Sequence, residues 1–300
     1  MHPENKKRVE KLNIRGKRVE NGERYLKLFH DNYYVKEVKD ACKREERLDP
    51  DTVTSKGSYN SAVHAVGATI MASKKNNFAV VRPPGHHAHP GNSSGFCIFN
   101  NIAIAVQKLV KEGKRVLIFD FDSHLGDGTE KFFYNSDKVL YWSIHQFPAF
   151  PGFGWVDEIG DGKGKGFTIN VPLPPESADD LYLDAIERFL PIAKQFNPDV
   201  VAVSAGFDGY KEDLLLNLKF SINSYYETGK ILRKNFKNVF ATLEGGYNIQ
   251  ILPKCIFNFL DGINNSKQRF NEDSTKSSKK VVREYNSRIK KLGKNLLRFW

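Results

Sequence analysis

Cysteine is scarce in this chain: three in 300 residues, Cys42, Cys97 and Cys255, odd in number and far apart. No disulfide framework and no cysteine-based zinc pattern fits them, and a reducing, cytoplasmic setting is the expectation. Long apolar runs are absent too, which excludes a membrane-spanning helix of about 18 or more residues. The opening MHPENKKRVE lacks the apolar stretch of a signal peptide. Internal repeats are missing, and so is any DNA- or RNA-binding signature beside the net charge of +11. A specific nucleic-acid partner is therefore not expected, and the excess charge reads as a Lys-rich solvated surface.

What is present is enough for a sizeable core, with 40% hydrophobic residues. Six apolar runs read as strands: Phe78 to Arg82, Arg115 to Asp122, Lys138 to His145, Phe167 to Leu173, Asp199 to Gly206 and Val239 to Gly246. They are continuous rather than alternating, as parallel strands buried on both faces are. Helical segments are expected near 59–72, 101–112, 181–196 (after the capping pattern Ser177-Ala-Asp-Asp180) and 222–235. The alternation predicts an α/β fold: one doubly wound, mainly parallel sheet with helices on both faces, forming a single domain over 1–300. Low complexity is confined to 264–280, an expected exposed loop. After it, Val281, Val282, Tyr285, Ile289, Leu292 and Leu296 recur at helical spacing, so a basic amphipathic helix is expected near 281–298.

In open α/β sheets the site lies beyond the carboxyl ends of the strands. Every unusual polar string stands there: RPPGHHAHPG (Arg82 to Gly91), DFDSHLGDG (Asp120 to Gly128), GFD (Gly206 to Asp208) and EGGYN (Glu244 to Asn248). Asp120, Asp122 and His124 alternate, so in extended backbone they point one way. Asp122, His124 and Asp208 offer two carboxylates and an imidazole, the three-ligand set of a catalytic metal site; it admits Zn²⁺ and also Fe²⁺, Co²⁺ or Mn²⁺. His86 and His87 suit acid–base work, with Asp120 and Asp127 as the available carboxylate partners. Asp127 could equally do no more than support its Gly-Asp-Gly turn. Two glycines before Tyr247 free the backbone to place a phenol at the sheet edge, where it can donate to an oxyanion. Phe96 in SGFCIFNN, and Phe150 and Phe153 in QFPAFPGFG, sit on loops that could wall a narrow apolar channel.

Taken in order, RPPGHHA, GFCIFNN, DFDSHLGDGT, SAGFD and LEGGYN make the chain resemble the zinc-dependent histone deacetylase family of the arginase/deacetylase fold. The string DPDTVTSKGSYNSAVHAVGA (Asp49 to Ala68) is similar to its bacterial and class II branches. The resemblance implies hydrolysis of N-acetyl-lysine in proteins or peptides, with release of acetate. It implies zinc on Asp122, His124 and Asp208, His86 paired with Asp120, and His87, paired with Asp127, as general base and then acid. Tyr247 would polarise the amide carbonyl. Gly95, Phe96 and Phe150 would line the acyl channel, Asp51 would hold substrate at the rim, and Leu215 would bear on substrate choice. A K⁺ ion is implied beside the zinc, on Asp120, Ser143, and the backbones of Asp122, His124 and Ile144.

The chain also departs from that pattern. Leu125 replaces the family's second histidine after the ligand histidine, and Glu130 replaces its usual glutamine. The HPEN string, which normally follows an N-terminal strand and loop, stands at the very start, so that strand is either dispensable or lies before the present first residue. An acetylpolyamine or another small acyl amide is the alternative substrate. An apolar residue at Leu215 and the positive net charge favour acetyl-lysine, although Asp49, Asp51, Glu212 and Asp213 could form a local acidic rim. A ureohydrolase of the same fold and a non-catalytic acyl-binding module are the remaining readings; the first would need more bridging carboxylates.

Overall fold

The computed structural model of the chain describes residues 2–14 and 16–300; Met1 of the opening string and Arg15 of the first basic run lie outside them. Among the described residues, β1 (Phe78–Ala79), β2 (Val116–Asp120), β3 (Val139–Gln146), β4 (Thr168–Leu173), β5 (Val200–Ala205) and β6 (Val239–Leu243) form one sheet. Its order is β1-β6-β5-β2-β3-β4, and every neighbouring pair is parallel. Successive residues of β2 face opposite cores: Leu117 and Phe119 join one, Val116 and Ile118 the other. With apolar side chains needed on both faces, the strands read as unbroken hydrophobic runs.

Helices cover both faces. On one lie α2 (Asn32–Arg44), α3 (Ser58–Ser73) and α4 (Asn101–Lys111). On the other lie α6 (Asp179–Phe196), α7 (Ile222–Asn235), α8 (Leu252–Ile263) and α9 (Lys279–Leu296). A four-residue α1 (Lys7–Glu10) precedes them, and a short α5 (Asp127–Phe133) follows the β2 loop. None of these helices is long and apolar enough to cross a membrane.

The structure corrects several sequence expectations. FAVVR pairs only at Phe78–Ala79, because it is the sheet edge and the chain turns away toward the Arg82–Pro83 bond. The strands β5 and β6 stop before their polar strings and β2 ends on Asp120, so Phe121-Asp122, Gly206 and Glu244 to Gly246 are loop rather than strand. Ser177 does not cap α6; its hydroxyl donates back to the Pro174 carbonyl at 2.6 Å. The 264–278 stretch is irregular and largely exposed, yet it is fastened: Asp179 accepts the Thr275 N–H at 2.9 Å, and Glu272 accepts the Ile222 N–H at 2.6 Å.

Candidate metal centre and active site

The four strands whose C-terminal ends carry the unusual polar strings, β1, β6, β5 and β2, are consecutive in the sheet. Side chains far apart in the chain therefore meet over one sheet edge.

Beyond β2 and β5, one ligand atom each from Asp122, His124 and Asp208 lie within 4.8 Å of one another, all buried. Backbone amides hold the carboxylates. Ser123 N–H donates to Asp208 at 2.9 Å, and Asp122 accepts from His124 N–H at 2.9 Å and Gly245 N–H at 2.7 Å. His124 Nδ1 stands 2.8 Å from Asp208 Oδ2 and 3.3 Å from Asp122 Oδ1. Burial alone would depress that imidazole; the two carboxylates instead push it up to about 10. Burial and the charge of Asp122 raise Asp208. Two acids forced together out of water are short of positive charge. A divalent cation with oxygen and nitrogen ligands would supply it, so the donor set fits a metal such as zinc.

Beside this cluster, His86 Nδ1 lies 3.1 Å from Asp120 Oδ2, and His87 Nδ1 lies 2.8 Å from Asp127 Oδ1. The two imidazole rings are 4.0 Å apart. Burial opposes charge on both, but Asp122 and Asp120 lift His86 well above the usual histidine range. Burial, reinforced by His86, lowers His87 to about 4 against the pull of Asp127. The two members of the pair are thus pushed in opposite directions, His86 toward holding a proton and His87 toward losing one. Asp127 opens α5 and also meets His89, whose Nε2 is 2.8 Å from Oδ2.

On the β6 side, Gly246 adopts φ +113° and swings Tyr247 into the site. The Tyr247 and Asn248 N–H groups both donate to Asp213 Oδ2, at 2.7 and 2.9 Å. Burial raises the Tyr247 phenol, so it keeps its proton and can donate it. Phe96 packs 5.7 Å from the Tyr247 ring, and Phe150 lies 5.0 Å from His87 and 6.4 Å from His124. Gly95 sits between them: a Cβ there would fall 2.6 Å from His87 Cδ2 and 3.0 Å from Phe150. Phe150 thus stands beside the histidines and Phe96 beside the phenol.

Other predicted positions stand farther out. Asp51 is exposed, beside a cavity of about 400 Å³ that Phe96 and Arg82 also line. Leu215 is exposed on the loop after Asp213, and Phe153 is exposed beyond Phe150. Asp120 neighbours Ser143 across β2 and β3, with Ile144 next along β3. The expected acidic rim is smaller than the sequence suggests. Asp213 holds the Tyr247 backbone, and Asp49 accepts the Asp51 and Thr52 N–H groups at 2.9 and 2.8 Å, so only Asp51 and Glu212 remain exposed.

Sequence reasoning missed three parts of the site. Glu244 Oε2 accepts the Gly85 and His86 N–H groups at 2.6 and 3.1 Å, strapping the histidine turn to β6. Arg8, fully buried, donates from Nε to the Gly246 carbonyl at 2.7 Å and from Nη2 to the Glu244 carbonyl, with its guanidinium 4.9 Å above the Tyr247 ring. His89 shares Asp127. His89, as the third histidine of its string, and Glu244, as the first residue of EGGYN, carried a signal of place but not of role; Arg8 carried none. The two departures are accommodated: Leu125 is buried in an apolar core. Glu130 accepts from Asn170 at 2.6 Å and is pushed up by burial to about 8, which favours its uncharged form in this buried place.

Comparison with known proteins shows the family and the fold. The family described as "Histone deacetylase domain" matches residues 2–263. A "Probable deacetylase" of Archaeoglobus fulgidus is 39% identical over 235 residues, 74% of this chain and 66% of that protein. "Histone deacetylase 14, chloroplastic" of Arabidopsis thaliana is 35% identical over 256 residues, 76% of this chain and 60% of that protein. The chain thus spans about two thirds or less of these relatives' length. The crystal structure of the HDA15 HD domain superposes with a TM-score of 0.87 at 28% identity, covering 100% of this chain and 91% of that one.

Proposed function

This chain belongs to the histone deacetylase family, and from that premise we propose that it is a metal-dependent hydrolase removing acetyl groups from N-acetyl-lysine of proteins or peptides. The observation that carries the reading is the convergence of a buried Asp-His-Asp cluster with a histidine pair and a protonated phenol at one sheet edge. Zinc held by Asp122, His124 and Asp208 would act as a Lewis acid on the acyl oxygen and lower the pKa of water from 15.7 toward ~7. The rest of the chemistry belongs to the chain. His87, neutral, accepts a proton as water attacks the amide carbon, and afterwards delivers it to the leaving amine. Asp127 orients its ring, while cationic His86, paired with Asp120, adds positive potential. The Tyr247 hydroxyl donates to the developing oxyanion. Gly95, Phe96 and Phe150 exclude water around the acylated side chain, and Asp51 anchors the substrate backbone outside. Asp120 and Ser143, with the backbones of Asp122, His124 and Ile144, would hold a K⁺ ion, which would add positive charge beside the ligand loop.

Among amides, acetyl-lysine in a peptide is favoured over an acetylpolyamine. A polycation needs a surplus of free carboxylates at the mouth, and two of the four acids there are engaged by backbone amides. The decisive experiment measures acetate release from acetyl-lysine peptides and acetylpolyamines, with and without a chelator. Chelator-sensitive release from the peptides is expected. Metal-independent release, urea formation, or no turnover of any acyl amide would overturn the reading.

A further inference from the structure

α9 lies beyond the residues that match the family. Its inner face is apolar (Val281, Tyr285, Ile289, Leu292, Leu296) except for Arg288, which is only 7% exposed. A buried guanidinium is costly unless its N–H groups find acceptors. Arg288 finds one on the loop that carries Phe150 and another on β4. Nη1 donates to the Phe147 carbonyl at 2.7 Å and to the Pro172 carbonyl at 3.3 Å. Its other nitrogen meets Glu284 of the same helix.

The guanidinium also lies 5.1 Å above the Trp155 ring, which packs 4.9 Å from Phe147. Two turns along the helix, Asn295 Nδ2 donates to the Val156 carbonyl at 2.8 Å. The loop is therefore gripped at both ends, at Phe147 and at Trp155–Val156, while Phe150 between them is 46% exposed.

We infer that α9 is the buttress of the substrate channel, with Arg288 and Asn295 as positioning residues that fix the Phe150 loop against His87. The inference rests on the reading above that Phe150 lines that channel. Neither residue touches the reacting atoms. Their loss would let the wall move while the metal cluster, held by backbone amides of β2 and β6 loops, stays intact.

The test compares Arg288→Met, which keeps the helix face apolar, with Arg288→Lys, which keeps a cationic donor, and with Asn295→Leu, all as full-length metal-loaded protein. Limited chymotrypsin digestion, mapped by mass spectrometry, should show cleavage between Phe147 and Trp155 accelerated in Arg288→Met and Asn295→Leu, and largely restored in Arg288→Lys. KM for an acetyl-lysine peptide should rise about tenfold in Arg288→Met, the size of losing a charged hydrogen bond. The value of kcat and the bound metal should be unchanged. In a Phe150→Ala background the same substitution should raise KM no further. Unaltered cleavage, or fully additive effects of Arg288→Met and Phe150→Ala, overturns the inference. If no amide is turned over, the functional reading fails, and the digestion still decides whether α9 holds the loop.

Discussion

The two sides of the pocket are built on different principles. On the metal side, each carboxylate is pinned by backbone N–H groups at strand ends, and the space around it is closed. A Cβ on Gly206 would fall 2.0 Å from Asp122 Oδ2, and one on Gly245 2.5 Å from the same atom. On the proposed channel side, Phe96 and Phe150 ride on loops, and their aromatic contacts run from 4.8 to 6.4 Å. Metal ligation requires donors fixed to a few tenths of an ångström, which only hydrogen-bonded backbone beside a sheet supplies. Guiding an acylated chain requires an apolar wall, which loops provide.

That contrast can be broken or sharpened experimentally. The largest effect is expected from His124→Ala, which should abolish metal binding and reduce acetate release to background; full metal occupancy by elemental analysis would contradict the ligand assignment. Tyr247→Phe should retain metal yet lower kcat by about 10²–10³-fold, as losing one oxyanion donor does. An unchanged kcat would remove the phenol from the chemistry. Gly206→Ala should weaken metal binding and lower stability by roughly 1–3 kcal/mol through overpacking. Gly57→Ala, where a Cβ meets nothing within 4 Å, should be near neutral in the same melts. Phe150→Ala should raise KM by about 2–10-fold with kcat nearly constant, since an aromatic contact is worth about 0.5–1.5 kcal/mol. A collapse of kcat there would erase the distinction between the two sides.

The smallest effect on turnover belongs to Glu130→Gln, which should instead show in stability. Glu130 titrates near 4.5 when exposed and near 8 in the fold. Between those values the folded state holds a proton that the unfolded state has lost. This group therefore makes stability fall as pH rises from about 4.5 to about 8. The glutamine variant should flatten that slope in denaturant titrations, and an identical slope would show that Glu130 is ionised in the fold.

Legibility followed the physics of each element. Helices α4, α6 and α7 were readable because apolar residues recur on one face, and α3 because it is apolar nearly all round, buried without a break from Ala65 to Ile70. By contrast, α2 was hidden: Tyr34, Val38, Ala41 and Cys42 are buried at helical spacing, but Lys36, Glu37, Lys39, Asp40, Lys43 and Arg44 surround them. α5 was too short to show a period, and it begins within the polar string itself. The ligand and histidine strings stood out as rare residue types at strand ends. Arg8 did not, and Glu244 was visible only as the first residue of EGGYN, because one charged residue has no readable role until its partners are known.

From sequence alone came the βα alternation, the residue types of the site and the chain's likeness to a deacetylase, since periodicity and short-range spacing are properties of neighbours along the chain. Tertiary structure alone decided that four adjacent strands bring those strings to one edge, that Asp213 and Asp49 serve backbone amides rather than the rim, and that Arg8 and Arg288 reach across 238 and 141 positions to fasten the Tyr247 and Phe150 loops. Such contacts depend on which strands become neighbours and on which carbonyls lack a donor once water is excluded, and neither is fixed by local spacing.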